Sequence, residues 1–374
     1  MQRMLIAATI TLLATTLPSV ASGQSINLTV DCSRGQTISD AITRGDARKP
    51  LVLLIRGTCN EYVTIARDDV TLRGDPGSGG AVNGPGSAGA AVMVQGDRTA
   101  LENLTVTGGA TGVLVSGPYA VTLTNVVVQN PASGNAVLVR GSGYLSISGS
   151  KLMHAPTGLA ITRGASARVY GGSEIRDNSG LGINVYNNGT LLMSGNSKVL
   201  DSGGPGVSLE NGSTASISST EISGNQSGIV VTASSSATIA SGNAIHDNRE
   251  HGILAQAGSM AGVDNNEITG NGDVGVFGYL GATLVLHGNT ITNNGTGVAC
   301  RSNCTLQIGG ATITDNENHG IVVQLDSTLI LEAPTTDASG NSWVDLWCGD
   351  KESSVDGLDN FIGEVSDTCT DFDN

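Results

Sequence analysis

Most of this chain repeats one short pattern of apolar and polar positions. A glycine is followed by an apolar residue, a variable residue and a second apolar residue, as in Gly182-Ile183-Asn184-Val185. The glycine returns every 22 to 24 residues between Gly112 and Gly320, with Ala136 in its place once. Two further sets of apolar residues recur at the same interval, and each set of equivalent residues is called a column below. A fixed period of this length is typical of repeat proteins, in which stacked units bury one shared core.

Each repeat contains three short apolar runs separated by Gly, Asn, Ser and Asp. Runs of this length between turn residues predict strands rather than helices. Strands that pair with their equivalents in the next repeat form a coil of parallel sheets, with neighbouring strands about 4.8 Å apart. The sequence therefore predicts an all-β, single-domain parallel β-helix, a solenoid with about 23 residues per coil.

Asparagines occupy fixed places in this repeat. Asn243, Asn266 and Asn289 stand in register over three coils, which predicts a ladder of stacked side-chain amides. A second set lies three or four residues before the glycine, and we expect its members to adopt the left-handed backbone conformation of sharp turns. The second set is Asn178, Asn225, Asn248, Asn271, Asn294 and Asn316.

The two ends of the chain depart from the repeat. Arg3, an apolar run from Leu5 to Leu17 and small residues at Ser19 and Ala21 are typical of a cleaved secretory signal peptide, and the run is too short to span a membrane. We therefore expect a secreted or periplasmic protein without membrane insertion. The predicted divisions are a signal peptide at 1–21, an N-terminal cap with a short helical turn and the first coil at 22–62, β-helix repeats at 63–339, and a C-terminal cap at 340–374.

Charge and cysteine content narrow the partners and the compartment. The net charge of −15 argues against nucleic acid and anionic membranes, because both bind basic surfaces. Six cysteines in an exported chain favour disulfides over a zinc site, and proximity along the chain favours three pairs among those possible. Four aromatic residues near the last two cysteines, Trp343, Trp347, Phe361 and Phe372, predict an aromatic plug in a disulfide-linked C-terminal cap. The favoured pairs are Cys32–Cys59, Cys300–Cys304 and Cys348–Cys369.

Several stretches resemble bacterial parallel β-helix proteins of the pectin-lyase-like superfamily. They are the opening Val30-Asp31-Cys32, the stretch Ile55-Arg56-Gly57-Thr58-Cys59 and later units such as residues 289–298. The resemblance implies a right-handed coil and a role in contact with carbohydrate. It implies no particular activity, because the catalytic signatures of mannuronan epimerases, polygalacturonases and pectate lyases are missing from the sequence. No motif indicates a cofactor or metal, and a structural or catalytic calcium ion stays open.

Alternation within the glycine-led strand predicts which side chains face outwards. The second and fourth residues after the glycine point out, so two outward columns run along this sheet. The fourth column mixes polar residues with tyrosines, which predicts a polysaccharide-binding face with Tyr186, Glu210, Gln256, Tyr279 and Arg301 as substrate-binding residues. The second column is apolar, and we expect a loop, a partner or a second copy of the chain to cover it. This apolar stripe includes Leu114, Leu138, Val230, Leu254, Phe277 and Val322.

One turn carries candidate catalytic chemistry. Glu250 and Asp273 both lie two residues before a repeat glycine, so stacking should place them one strand spacing, roughly 5 Å, apart. Paired carboxylates, one protonated and one ionised, are used in glycoside hydrolysis, and His251 lies beside this pair. The alternative is a solvated turn in an acidic protein.

Two functions from different classes remain open. The first is an exported enzyme, a polysaccharide hydrolase or lyase, that works along the sheet face. Its acidic charge favours neutral or lightly charged glycans over polyuronates. The second is a non-catalytic scaffold or adhesin at the cell surface or in the periplasm. Contact with a glycan is common to both.

Overall fold

The chain forms one solenoid of parallel strands in the computed structural model, which describes residues 24–369. This architecture confirms the predicted all-β, single-domain fold, whereas the predicted signal peptide lies outside the described residues. Three sheets run along the coil, and we name them A, B and C in the order in which the chain meets them. Sheets A and B are joined in a 25-stranded sheet, and sheet C has 13 strands. Within the described residues, no helix is long and apolar enough to cross a membrane.

Each coil contributes one short strand to each sheet in most of the solenoid. The long strand Leu51–Asn60 belongs to sheets A and B. Sheet A also contains Ile26–Asp31, Val70–Gly74, Thr99–Glu102, Ala120–Thr124, Tyr144–Ser148, Ser166–Tyr170, Thr190–Met193, Thr214–Ile217, Ser236–Ala240, Met260–Asp264, Thr283–His287, Thr305–Gly309, Thr328–Glu332 and Ser354–Asp356. Sheet B also contains Gly80–Gly84, Thr105–Gly108, Val127–Gln129, Lys151–Met153, Glu174–Arg176, Lys198–Leu200, Glu221–Ser223, Ala244–His246, Glu267–Thr269 and Thr290–Thr292, and the pair Thr336–Asp337 and Phe361–Ile362 follows them. Sheet C contains Val63–Ile65, Ala90–Val94, Thr111–Ser116, Asn135–Arg140, Thr157–Thr162, Leu181–Tyr186, Val207–Glu210, Ile229–Val231, Ile253–Gln256, Val274–Tyr279, Thr296–Arg301, Ile321–Gln324 and Leu346–Cys348.

Side chains that point into the coil form one continuous hydrophobic core. In sheet C, Val185 stacks on Leu209, Leu209 on Val231 and Val231 on Ala255, and all four side chains are buried. Removing such columns from water is the main favourable contribution to folding, and each coil contributes to the core of the next.

The repeat glycine lies where a side chain has no room. A Cβ on Gly275 would lie 2.7 Å from the carbonyl oxygen of Gly297 and 2.7 Å from a methyl carbon of Ile291. Real Cβ atoms do not approach other atoms this closely, so the backbones of successive coils meet here only because the position is glycine.

Both asparagine sets form buried ladders. The Nδ2 of Asn243 donates to Oδ1 of Asn266 at 2.7 Å, which confirms the predicted ladder of the first set. The Nδ2 of Asn271 likewise donates to Oδ1 of Asn294 at 2.9 Å. The expected left-handed backbone of the second set is wrong, because the positive φ falls one residue earlier, as at Asp247. That residue makes the sharp bend, and the asparagine after it turns its amide inwards to bond the next coil.

A short helix, Ile38–Arg44, closes the N-terminal end of the coil. Its first turn is capped by Thr37, and the Glu61 carboxylate accepts hydrogen bonds from the backbone N–H groups of Ile38 at 2.6 Å and Ser39 at 3.1 Å. A 3₁₀ turn, Cys32–Arg34, precedes this helix. The structure contains the three disulfides that proximity favours, and Cys32–Cys59 joins the cap to the first long strand.

The C-terminal segment adds one further coil beyond residue 339. Leu346–Cys348 extends sheet C and Ser354–Asp356 extends sheet A, and a 3₁₀ turn at Leu358–Asn360 follows. The prediction of an aromatic plug is wrong for the tryptophans: Trp343 is 62% exposed, and Trp347 faces outwards on sheet C. Trp347 lies outside because it occupies the position in its strand that alternates away from the core.

Candidate functional site

Three rows of outward side chains run along the C-terminal half of sheet C. Row 1 is the residue before each repeat glycine, and rows 2 and 3 are the second and fourth residues after it. Parallel pairing stacks equivalent residues of successive coils directly on one another. Row 1 contains His251, Val274, Thr296, His319 and Val344; row 2 contains Leu254, Phe277, Ala299, Val322 and Trp347; row 3 contains Gln256, Tyr279, Arg301 and Gln324.

A cleft of about 750 Å³ opens over these rows near the end of the solenoid. Thr296 and Ala299 are small. Row 2 carries Phe277 one coil before Ala299 and Trp347 two coils after it, and both aromatic side chains pack against the buried Ala299 and Val322. The small residues therefore leave a depression between two aromatic side chains. The cleft is lined by Asp273, Thr296, Arg301, Asn318, His319, Val322, Trp343, Val344 and Trp347.

His319 lies between the two tryptophans of this cleft. Its ring is parallel to that of Trp347, with centroids 5.2 Å apart and planes inclined by 6°, and it meets Trp343 edge to face at 5.2 Å. The Nδ1 of His319 lies 2.9 Å from the carbonyl oxygen of Val344. Because a carbonyl only accepts hydrogen bonds, Nδ1 donates, and Nε2 of the neutral ring carries the lone pair.

Arg301 forms the other side of the cleft. Its guanidinium carbon lies 5.7 Å from the ring centroid of Phe277, and Phe277 lies 5.7 Å from Tyr279. The Nε of Arg301 is buried without a hydrogen-bond partner among the described residues. A buried donor without a partner carries a desolvation cost.

The predicted catalytic residues meet in part. The backbone N–H of Asp273 donates to the carbonyl oxygen of Glu250 at 2.9 Å, so the two residues lie on adjacent coils as predicted. Their carboxylates turn to different neighbours: Glu250 accepts from Nε2 of Gln226 at 2.8 Å, whereas Oδ2 of Asp273 lies 3.6 Å from Nδ1 of His251.

His251 is the least exposed member of this group, with its side chain 13% exposed, and its ring meets Phe277 edge to face at 5.2 Å. Burial lowers the pKa of His251, although the carboxylates of Asp273 and Glu250 oppose that shift; Arg301 adds to it. A neutral imidazole with a carboxylate on one side is suited to accept a proton.

Of the five predicted binding residues, Arg301 lines the cleft, and the other four share the face but lie outside the cleft. Gln256, Tyr279 and Arg301 stack on consecutive coils, and Tyr186 stacks on Glu210 several coils towards the N-terminus. All five are half-buried.

The apolar stripe divides into two parts. Val322 is 1% exposed, and the chain's own Trp347 covers that end together with Phe277. The remaining members are half-buried, and a second copy or a partner on that part of the stripe stays a prediction. They are Leu114, Leu138, Val230 and Leu254.

Comparison with known proteins agrees with this architecture. A family model described as a right-handed beta helix region matches residues 83–207 and 205–357. The chain belongs to the right-handed β-helix family. The handedness that the superfamily resemblance implied is thereby confirmed. A comparison with curated protein sequences gives no match.

Solved structures similar to this right-handed β-helix protein include enzymes that act on polysaccharides. The periplasmic alginate epimerase AlgG has a TM-score of 0.58 at 14% identity, over 94% of this chain and 83% of the other. The A-module of mannuronan C-5 epimerase AlgE4 from Azotobacter vinelandii has a TM-score of 0.53 at 18% identity, over 85% of this chain and 93% of the other. The catalytic unit of a GH87 α-1,3-glucanase from Streptomyces thermodiastaticus strain HF3-3 has a TM-score of 0.58 at 13% identity, over 94% of this chain and 70% of the other. At these identities the similarity concerns the fold alone.

Sequence reasoning assigned the tryptophans of this β-helix protein to a plug and gave His319, the residue before a repeat glycine, no role in a site. One signal was available: Leu346-Trp347-Cys348 repeats the alternation of Ile321-Val322-Val323, and Trp343 and Trp347 are the only tryptophans in the chain. Among residues 24–369, no cluster of three or more His, Cys, Asp or Glu side chains could hold a metal ion.

Proposed function

We propose that this protein binds a polysaccharide in the cleft over sheet C and along row 3. The observation that carries the proposal is the cleft itself, with Trp343 exposed at its rim, Trp347 beside it and polar side chains opposite. Aromatic faces stack on the apolar faces of sugar rings, and a few polar groups fix orientation through the hydroxyls. The polysaccharide-acting structural neighbours support a carbohydrate ligand at the level of the fold.

The direction of the rows supports a chain-like ligand. Successive coils present equivalent positions about 4.8 Å apart along the axis, a step close to the length of one residue in an extended glycan. Gln256, Tyr279 and Arg301 therefore lie along a line on which consecutive sugars would contact consecutive coils.

Processing of the bound glycan is a second candidate, favoured by the contact between His251 and Asp273. In this proposal His251 accepts a proton, and Asp273 orients the His251 ring and stabilises the imidazolium. Glu250 provides the second carboxyl group of the predicted carboxylate pair. Export is also proposed, because three disulfides persist in an oxidising compartment.

Calorimetric titration of the purified protein tests the binding proposal. The probes are oligosaccharides of α-1,3-glucan, dextran, laminarin and alginate. We expect saturable binding of at least one glycan that Trp343→Ala weakens about tenfold or more, since stacked aromatic anchors dominate such sites. Tyr144→Ala is the matched control, because Tyr144 is 44% exposed but lies on sheet A. Equal binding by both variants would contradict the proposal.

Incubation with the same glycans tests processing. New reducing ends without ultraviolet absorbance indicate a hydrolase, and absorbance of an unsaturated uronate indicates a lyase. Asp273→Asn and Glu250→Gln should abolish either signal while glycan binding persists. Binding without any product identifies the non-catalytic scaffold.

A further inference from the structure

The free nitrogen of His319 has a fixed chemical character. The hydrogen bond from Nδ1 to the carbonyl oxygen of Val344 leaves Nε2 as an acceptor whenever the ring is neutral. Trp347 and Trp343 hold the ring in place from two sides. His319 lines the cleft, and no group within residues 24–369 forms a hydrogen bond with Nε2.

The charges around His319 cancel one another. Asp273 and Arg301 line the same cleft on neighbouring coils, and their formal charges are opposite. On the C-terminal segment, the nearby Asp345 accepts hydrogen bonds from Asn341 and from the backbone N–H of Glu364, so that carboxylate is already occupied. The cleft thus lacks the concentrated positive charge that selects a polyanion.

We propose that His319 determines the substrate class of the cleft: its Nε2 accepts a hydrogen bond from a sugar hydroxyl, which selects neutral glycans and disfavours acidic ones. At the sugar position that faces Nε2, a hydroxyl can donate to this lone pair, whereas an ionised carboxylate at that position cannot and is repelled by it. The inference rests on the proposed glycan-binding function, and it adds the identity of the selecting group and the class of ligand.

Two substitutions distinguish the roles of the two ring nitrogens of His319. In His319→Asn the side-chain amide reaches the place of Nδ1 and retains the bond to Val344, but no acceptor remains at the place of Nε2. In His319→Gln the longer side chain places an amide oxygen near Nε2. His287→Asn, on sheet A, is the control for a histidine substitution outside the cleft.

Calorimetric titration at about pH 8 tests the proposal with α-1,3-glucan and alginate oligosaccharides of equal length. We expect the wild type to prefer the neutral probe and His319→Asn to lose about fivefold to tenfold of that affinity, as for one lost hydrogen bond. His319→Gln should keep most of it, and His287→Asn should match the wild type.

Three results would overturn the inference. These are unchanged neutral-glycan binding by His319→Asn, equal losses in His319→Asn and His319→Gln with unchanged melting temperatures, and a wild-type preference for alginate. In each of them glycan binding itself survives. If the wild type binds no probe, the proposed function fails, and this inference fails with it.

Discussion

The imidazole of His251 faces the carboxylate of Asp273 on the next coil, with 3.6 Å between Nδ1 and Oδ2. The two residues are 22 positions apart in sequence and meet because one coil separates them. Phe277 borders the ring on another side. The contact thus joins a half-buried base to an exposed acid at the edge of the cleft.

Acidification should destabilise the protein through His251. Burial lowers its folded pKa below the ordinary 6.5, so the unfolded chain takes up the proton first as the pH falls. The contribution of the neutral His251 side chain to the free energy of unfolding is therefore fully present above pH 6.5. It is lost progressively as the pH falls from 6.5 to the folded pKa. Urea unfolding measured across this window in wild type and His251→Gln should show a steeper acid loss in the wild type. Parallel curves would contradict the assignment.

Replacing the repeat glycine should destabilise the fold. Gly275→Ala places a Cβ 2.7 Å from a backbone oxygen of the next coil, which should lower the free energy of unfolding by about 2 kcal/mol or more. Gly262 provides the matched control, because a Cβ there meets nothing within 4 Å. Gly262→Ala should be neutral or stabilising by about 0.5 kcal/mol. Denaturant titration of both variants checks the contrast, and equal effects would refute the steric account.

The asparagine ladder should contribute strongly to stability. Asn271 donates to Asn294 and accepts from the backbone N–H of Asn248 at 3.2 Å, all within the buried ladder. Asn271→Ala leaves buried polar groups without partners, and we expect a loss of about 3 kcal/mol in the free energy of unfolding. Asn27→Ala, at an exposed strand position, should change it by less than about 0.5 kcal/mol. A loss at Asn271 no larger than at Asn27 would argue against a structural ladder.

The C-terminal disulfide should maintain the cleft. Trp347 directly precedes Cys348, and the Cys348–Cys369 bond closes a segment with a sequence separation of 21. Replacing both cysteines by serine should cost about 3 kcal/mol, shift tryptophan emission to longer wavelength and weaken glycan binding. The same replacement at Cys32 and Cys59, at the opposite end of the coil, should leave tryptophan emission unchanged. A cleft unaffected by loss of Cys348–Cys369 would contradict this role.

The repeating part of the fold was predictable because its positions are tied to each other by period. Once equivalent residues of successive repeats, such as Leu209 and Val231, are aligned, the strand pairing follows. Strand alternation then gives which side chains are buried and which point outwards. The Asn243 ladder followed in the same way. The bend before Asn248 could not be predicted in this way, because the aspartate and the asparagine at that turn both tolerate a positive φ. The sequence alone does not say which of them takes it.

The cleft was not predictable from the period. It depends on Trp343, which belongs to none of the repeating columns, and on the small Ala299 between larger neighbours, whose effect is visible only when adjacent coils are compared. The carboxylate pair was placed correctly along the backbone at Glu250 and Asp273. Each carboxylate turned to a partner on the preceding coil, Glu250 to Gln226 and Asp273 to His251, instead of to the other carboxylate.

Tryptophan fluorescence tests the central claim, glycan binding in the cleft over sheet C, most directly. Trp343 and Trp347 are the only tryptophans in the chain and both line the cleft, so emission reports on this site alone. We predict a saturable emission change and protection from acrylamide quenching when α-1,3-glucan oligosaccharides are added, with the affinity that calorimetry gives. Glycan binding by calorimetry with unchanged emission and unchanged quenching would place the site elsewhere and contradict the account.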